Sequence, residues 1–229
     1  MIPHTLALAL ILGAGQAASA HEAAAVAVED EPMHRLVFHN DRVAVLDVLI
    51  PPHATTQLHT HYHDLAGFTV TSSPTREAPL GGNATTEPAS PENEAWFEPF
   101  PAPSTHRVTN LGDRPVRYLM FDLLHDARPG GEKAIAAAID SAGTTLIENS
   151  RVRVLHFRIP PGAMAPEHGH ASAYGLVLAT GGTIAIDERA QRTFPNAGFV
   201  SWNDDTAVLH RLRNAGDQPV DVLEFEFPP

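Results

Sequence analysis

Residues 51–70 read PPHATTQLHTHYHDLAGFTV, and a second version of that stretch stands at residues 160–179 as PPGAMAPEHGHASAYGLVLA. Each opens on a proline pair and carries a His-x-His, His59 and His61 in the first and His168 and His170 in the second. In a β-strand residues i and i+2 point to the same face, so each pair presents two imidazoles side by side. Two imidazoles held on a rigid strand are half of a metal site.

The repetition extends outward from these stretches. A shift of 109 places residues 36–61 on 145–170 without a gap, with 11 of 26 positions identical. A shift of 104 places residues 106–123 on 210–227, with 9 of 18 identical, His106/His210 and Asn110/Asn214 among them. An internal repeat of this length makes the chain two copies of one module near ordinary domain size.

A His-x-His strand, followed 40–50 residues later by His-x-x-x-Asn before a turn, resembles the two histidine motifs of the cupins. Two copies resemble a bicupin. The resemblance implies an all-β fold: two tandem cupin-like double-stranded β-helix (jelly-roll) barrels joined by a short helix, with the motif histidines turned inward onto a metal. The implied organisation is a signal peptide at 1–20, a flexible leader at 21–33, one module at 34–126, a helical linker at 127–143 and a second module at 144–229. The sequence also departs from the family pattern. Leu65 and Ala66, and Tyr174 and Gly175, stand where the family places a glutamate ligand, and the Pro-x-Gly before the third histidine is altered in both copies.

His59, His61 and His106 are therefore the candidate ligands of the first module, and His168, His170 and His210 those of the second. Three neutral imidazoles suit a divalent transition metal, Fe, Zn, Mn, Ni or Cu. With no carboxylate in the set, the ion keeps its charge and at least one open position. That favours an anionic small-molecule ligand or substrate and Lewis-acid or oxygen-activating chemistry. His63 continues the alternation and offers a fourth ligand or a partner orienting one, where the second copy has only Ser172. Asp204-Asp205 before His210 marks that histidine as the ligand expected to be displaced, so the chemistry is expected in the first module.

Other residues receive plainer expectations. His34, His39, His53, His125 and His156 read as surface or rim residues, Asp64 as facing away from the ligands, and Asn110 and Asn214 as turn formers. Trp96, Phe97, Phe100 and Trp202 read as core or cavity lining. Residues 72–93 collect Pro, Gly, Ser, Thr and Glu and read as a long exposed loop, a lid or a surface insertion. Residues 131–143, GEKAIAAAIDSAG, read as a helix.

The apolar run at 5–13, ending in Ala18-Ser19-Ala20, reads as a secretory signal too short to span a membrane. The expected location is periplasmic or secreted, with no membrane insertion of the mature chain. There is no cysteine. A formal charge of −12 argues against nucleic acid or an anionic membrane surface as a partner. An oxidoreductase of dioxygenase type, a cupin-type isomerase or lyase, and a non-catalytic binding protein all remain open at this level.

Overall fold

The structure is a computed structural model that describes residues 24–125, 143–170, 172–187, 191–204 and 209–227. The expected signal peptide lies outside the described residues, and so does the expected helix at 131–143 except for Gly143. Among these residues no helix is long and apolar enough to cross a membrane.

The first module contains β1 (Val26–Ala27), β2 (His34–His39), β3 (Val43–Ile50), β4 (His59–His61), β5 (Leu65–Thr71), β6 (Thr75–Pro79), β7 (Thr85–Glu87), β8 (Ala95–Glu98), β9 (Ser104–Asn110) and β10 (Val116–Leu123). The second contains β11 (Thr144–Glu148), β12 (Arg153–Ile159), β13 (Ala173–Leu178), β14 (Gly182–Ile186), β15 (Arg192–Phe194), β16 (Gly198–Asn203), β17 (Leu212–Asn214) and β18 (Val220–Phe227). One sheet of each module has the same strand plan, β2-β3-β10-β5-β8 in the first and β11-β12-β18-β13-β16 in the second. The opposing sheets are β1-β4-β9-β6-β7 and the shorter β15-β14-β17. The all-β, two-barrel class read from the sequence is the observed one.

Turn chemistry fixes where these strands begin. The Asn40 side-chain oxygen accepts the amides of Arg42 and Val43, and Asn149 repeats this with Arg151 and Val152. Asn110 is fully buried, donates to the carbonyls of Ile50 and Arg114 and accepts from the Gly112 amide; Asn214 does the same with Ile159, Gln218 and Gly216. Both asparagines are turn formers and not ligands. After each proline pair the chain turns through positive φ, at His53 in one copy and at Gly162 in the other.

Strand β3, VAVLDVLI, is buried at every position except Leu49. Both of its faces are covered, which explains a nearly unbroken apolar run where a one-sided strand would alternate. Leu46, Val48 and Ile50 face the interior of the first barrel with Met120 and Leu65. Val43 and Val45 face outward with Phe68, Leu119 and Phe121 and meet Val154, Leu223, Phe225 and Phe227 of the second module in one core. Phe121 and Phe225, equivalent residues of the repeat, stack at 4.7 Å. Contact between equivalent residues is what a twofold relation between the modules produces. Arg117 donates to the Ala197 carbonyl, and Arg151 Nε to Asp64 Oδ2 at 2.7 Å, across the same seam.

Three expectations require correction. The leader is ordered from residue 24: β1 pairs in parallel with β4, and Val28 is fully buried, because it closes the open edge of the ligand strand. Residues 72–93 are not one structureless loop. They contribute β6 and β7, with β6 hydrogen-bonded to β9, so part of the insertion belongs to the barrel wall. Asp64 does not merely face away; besides the Arg151 bridge, it accepts the Phe100 amide at 2.8 Å.

Candidate metal centres

The first centre is assembled by strand pairing. His59 and His61 stand on β4, and β9 pairs with it so that His106 lies directly opposite His59. His59 Nε2 and His61 Nε2 lie 3.2 and 3.1 Å from His106 Nε2. Three nitrogens so spaced suit one ion held at about 2.1 Å from each.

The partners of the other ring nitrogens show what the cluster wants. His59 Nδ1 faces the Gln57 carbonyl at 2.9 Å, and His106 Nδ1 faces Glu77 Oε1 at 2.6 Å. Both acceptors require Nδ1 to carry the hydrogen, which turns each Nε2 toward the cluster. Protons fill such a cluster poorly. Burial, then the neighbouring His106 and His59, pull the His61 pKa down to about 2, and burial takes His59 to about 4. Converging lone pairs that reject protons fit a divalent transition metal.

This centre opens on a cavity of about 510 Å³, to which His61 and His106 contribute together with Glu77, Trp96, Phe100 and Met120. Phe100 stacks on His61 with ring centroids 5.3 Å apart. Trp96 needs Gly67 opposite it, since a Cβ there would come within 2.2 Å of the indole.

The second centre has four donors. His168, His170, His210 and Glu224 bring one ligand atom each to within 4.8 Å of one another, all buried. Glu224 Oε2 lies 2.9 Å from His168 Nε2, and its Oε1 lies 3.1 Å from His210 Nε2. His170 Nε2 lies 3.3 Å from Glu224 Oε2 without the alignment of a hydrogen bond and is a buried nitrogen with no partner. Pro166, Glu226 and Tyr174 meet the Nδ1 atoms of His168, His170 and His210. Burial disfavours charge on His170, but Glu224 and Glu226 outweigh it and lift its pKa to about 9. Glu224, fully buried, is held well below the usual carboxylate range by the three imidazoles despite its burial. Three imidazoles and one carboxylate, with an unsatisfied nitrogen among them, also fit a divalent metal. Phe157 stacks on His168 at 4.6 Å and Tyr174 on His170 at 3.7 Å.

Several sequence expectations change here. The set without a carboxylate describes only the first centre. Glu224 comes from β18, where Val220, Val222, Glu224 and Glu226 share a face, and the repeat places it opposite Met120 of the first module. Two glutamates at inward positions of VDVLEFEF were the legible signal. His210 is not displaced; it pairs with His168 through a β-bridge as His106 pairs with His59. His63 is outside the cluster. β4 ends at His61, the alternation stops, and His63 Nδ1 turns to Asp122 Oδ1 at 3.0 Å. Burial raises Asp122 to about 6, with His63 opposing the rise. His34 is not a rim residue: it is 4 % exposed, meets His59 edge-on at 4.8 Å and faces the Val28 carbonyl through Nδ1. Trp96, Phe97 and Phe100 line the cavity, and Trp202 stacks on Phe38 at the module seam.

No protein-family model and no curated protein sequence matches the chain. Solved structures do. AerE from Microcystis aeruginosa matches with a TM-score of 0.57 at 14 % identity, covering 87 % of this chain and 99 % of its own. The oxalate decarboxylase of Lactobacillus farciminis, in a formate complex, matches at 0.54 and 17 %, covering 82 % and 77 %. That of Bacillus subtilis, which has Mn(II) centres, matches at 0.54 and 16 %, covering 81 % and 69 %. At these identities the likeness is one of fold, and it is the cupin fold. Fold and donor sets together give a cupin fold carrying two candidate metal centres.

Proposed function

We propose that the protein is an exported bicupin whose first centre, His59, His61 and His106, holds a divalent transition metal and acts on a small organic molecule as an oxidoreductase of dioxygenase type. The observation that carries this reading is the contrast between the two centres. The first has three histidines, no carboxylate, and a cavity of about 510 Å³ beside it. The second is completed by Glu224 and flanked by Phe157 and Tyr174, which suits a structural ion. The cavity volume is within the usual range for small-molecule sites.

A metal bound at the first centre supplies Lewis acidity and open coordination positions. The protein groups do the rest. Glu77 keeps the proton on His106 Nδ1, and the Gln57 carbonyl keeps that of His59, so both Nε2 lone pairs stay available. Phe100, stacked on His61, and Trp96 give that side of the cavity an aromatic wall. The double charge, uncancelled by a protein carboxylate ligand, favours an anionic donor on the bound molecule. Export rests on the apolar run and its Ala-x-Ala end, and a mature chain beginning near His21 is expected by mass spectrometry.

The test compares His61→Ala with His170→Ala in protein purified without a histidine tag. Metal content is measured elementally, and substrate-dependent oxygen uptake is followed over a panel of small acids and phenols. The first substitution should remove about one equivalent of metal and all activity, and the second should leave activity. Activity lost only in the second variant would move the reaction to the second module, and metal bound without any turnover across the panel would favour a binding protein.

A further inference from the structure

The wall of the first cavity carries a charge pattern that the metal reading does not use. Along residues 94–98, Glu-Ala-Trp-Phe-Glu, alternation sends Glu94, Trp96 and Glu98 to one side and Ala95 and Phe97 to the other. The structure follows this division. Ala95 and Phe97 pack against the core between the modules, Phe97 also reaching the cavity edge, whereas Glu94, Trp96 and Glu98 line the cavity. Glu87, from β7, joins the same wall. No lysine or arginine lines the cavity among the described residues. The carboxylates of Glu87, Glu94 and Glu98, on exposed residues, therefore border the space with no lysine or arginine beside them, the imidazoles of His61 and His106 being its basic groups. Partial burial, then Glu77, pushes the Glu98 carboxyl up, with His106 opposing the rise. Aromatic faces stand between them: Trp96 meets Tyr118 edge-on at 5.9 Å, and Gly67 keeps room for the indole. An indole flanked by carboxylates attracts an organic cation through both its ring quadrupole and the adjacent negative charge.

The opposite pole has the reverse character. His61 is 4 % exposed, borders the cavity, and has a buried Nδ1 with no hydrogen-bond partner. Its Nε2 is directed at the histidine cluster, so this end of the cavity is where an oxygen donor of a bound molecule would meet the metal centre.

We propose that the first cavity selects a zwitterionic or amine-bearing aromatic small molecule, its anionic oxygen donor toward His61 and the metal centre and its ammonium group against Glu94, Trp96 and Glu98. This rests on the proposed function and specifies its substrate class. A purely anionic acid meets only one favourable pole and is repelled by the other. An amine with an oxygen donor meets both.

Three probes with one phenol head and different tails test the selection: tyramine with an ammonium, 4-ethylphenol with no charge, and 3-(4-hydroxyphenyl)propionate with a carboxylate. Binding is measured calorimetrically at pH 7.5 on the full-length mature protein, zinc-loaded and metal-free, with zinc stoichiometry determined on the same samples. Tyramine is expected to bind at least about tenfold more tightly than the propionate, with 4-ethylphenol between them. The preference should shrink in high salt. It should vanish in the Glu94→Gln/Glu98→Gln double variant, checked for unchanged melting temperature and zinc content. The propionate binding as tightly as tyramine, no binding by any of the three, or a preference that survives the double substitution would each overturn the proposal. Because the ammonium pole does not depend on the ion, the preference should persist without zinc. A protein that keeps the preference but takes no zinc at the first centre refutes the metal reading and leaves this one standing.

Discussion

Glu224→Gln in the second centre tests how buried charge is balanced there. Glu224 is fully buried and faces three imidazoles, with oxygen-to-Nε2 separations of 2.9, 3.1 and 3.3 Å. In metal-free protein, Glu224 and Glu226 outweigh burial and raise His170 from 6.5 to about 9. At about 1.4 kcal/mol per pH unit, that rise corresponds to roughly 3.5 kcal/mol of stability at most. The folded pKa lies above the unfolded one, so this stability is fully present below pH 6.5 and is lost as pH rises through about 9. Glutamine cannot carry the charge, while Glu226 remains and retains part of the effect. The variant should therefore be destabilised by about 2–3 kcal/mol at pH 6 and by less than about 1 kcal/mol at pH 9.5, read from urea denaturation of chelator-treated protein. Its second centre should also lose metal affinity by at least about 100-fold, since a ligand is removed and not merely a supporting group. A variant as stable as the parent at pH 6, or equally destabilised at both pH values, would refute the charge balance described here.

Met120→Glu places a carboxylate at the position equivalent to Glu224, and should slow loss of metal from the first centre to a chelator by about tenfold or more; unchanged release would mean that the two barrels place this residue differently. Glu31, 2 % exposed, accepts the Met33 and Gln57 amides, and the Gln57 carbonyl in turn orients His59. Glu31→Ala should weaken metal binding at the first centre by about tenfold, measured by competition with a chromophoric chelator, with the second centre unaffected. Phe121→Ala removes a fully buried ring from the seam between modules, where it stacks on Phe225 and meets Phe227 at a tilt. It should cost about 3–5 kcal/mol and split the calorimetric unfolding into two transitions; a single transition of unchanged midpoint would deny the seam its role.

The repeat, the His-x-His pairs and the paired asparagines were legible in the linear chain because each expresses a local rule. Strand alternation places His59 beside His61, and an Asx turn needs only its own few residues. The same alternation gave a wrong result for His63, since it holds only while the strand lasts. β4 stops at His61, where Asp64 is drawn to the Phe100 amide and to Arg151 of the other module. Those partners are 36 and 87 residues away, beyond the reach of periodicity.

Glu224 is the clearest case of a residue decided by tertiary structure. It stands 14 residues from His210 and 56 from His168, and it becomes a candidate ligand only because β18, the central strand of one wall, turns Glu224 inward to face the bridge that joins those two histidines. The leader is another case. Its composition is that of a tail, yet the free edge of β4 offers it backbone partners, and His34 is buried against His59 as a result. A histidine pattern therefore states which side chains share a face. Whether a site offers three donors or four depends on what the opposite wall of the barrel brings to it, Met120 in one module and Glu224 in the other.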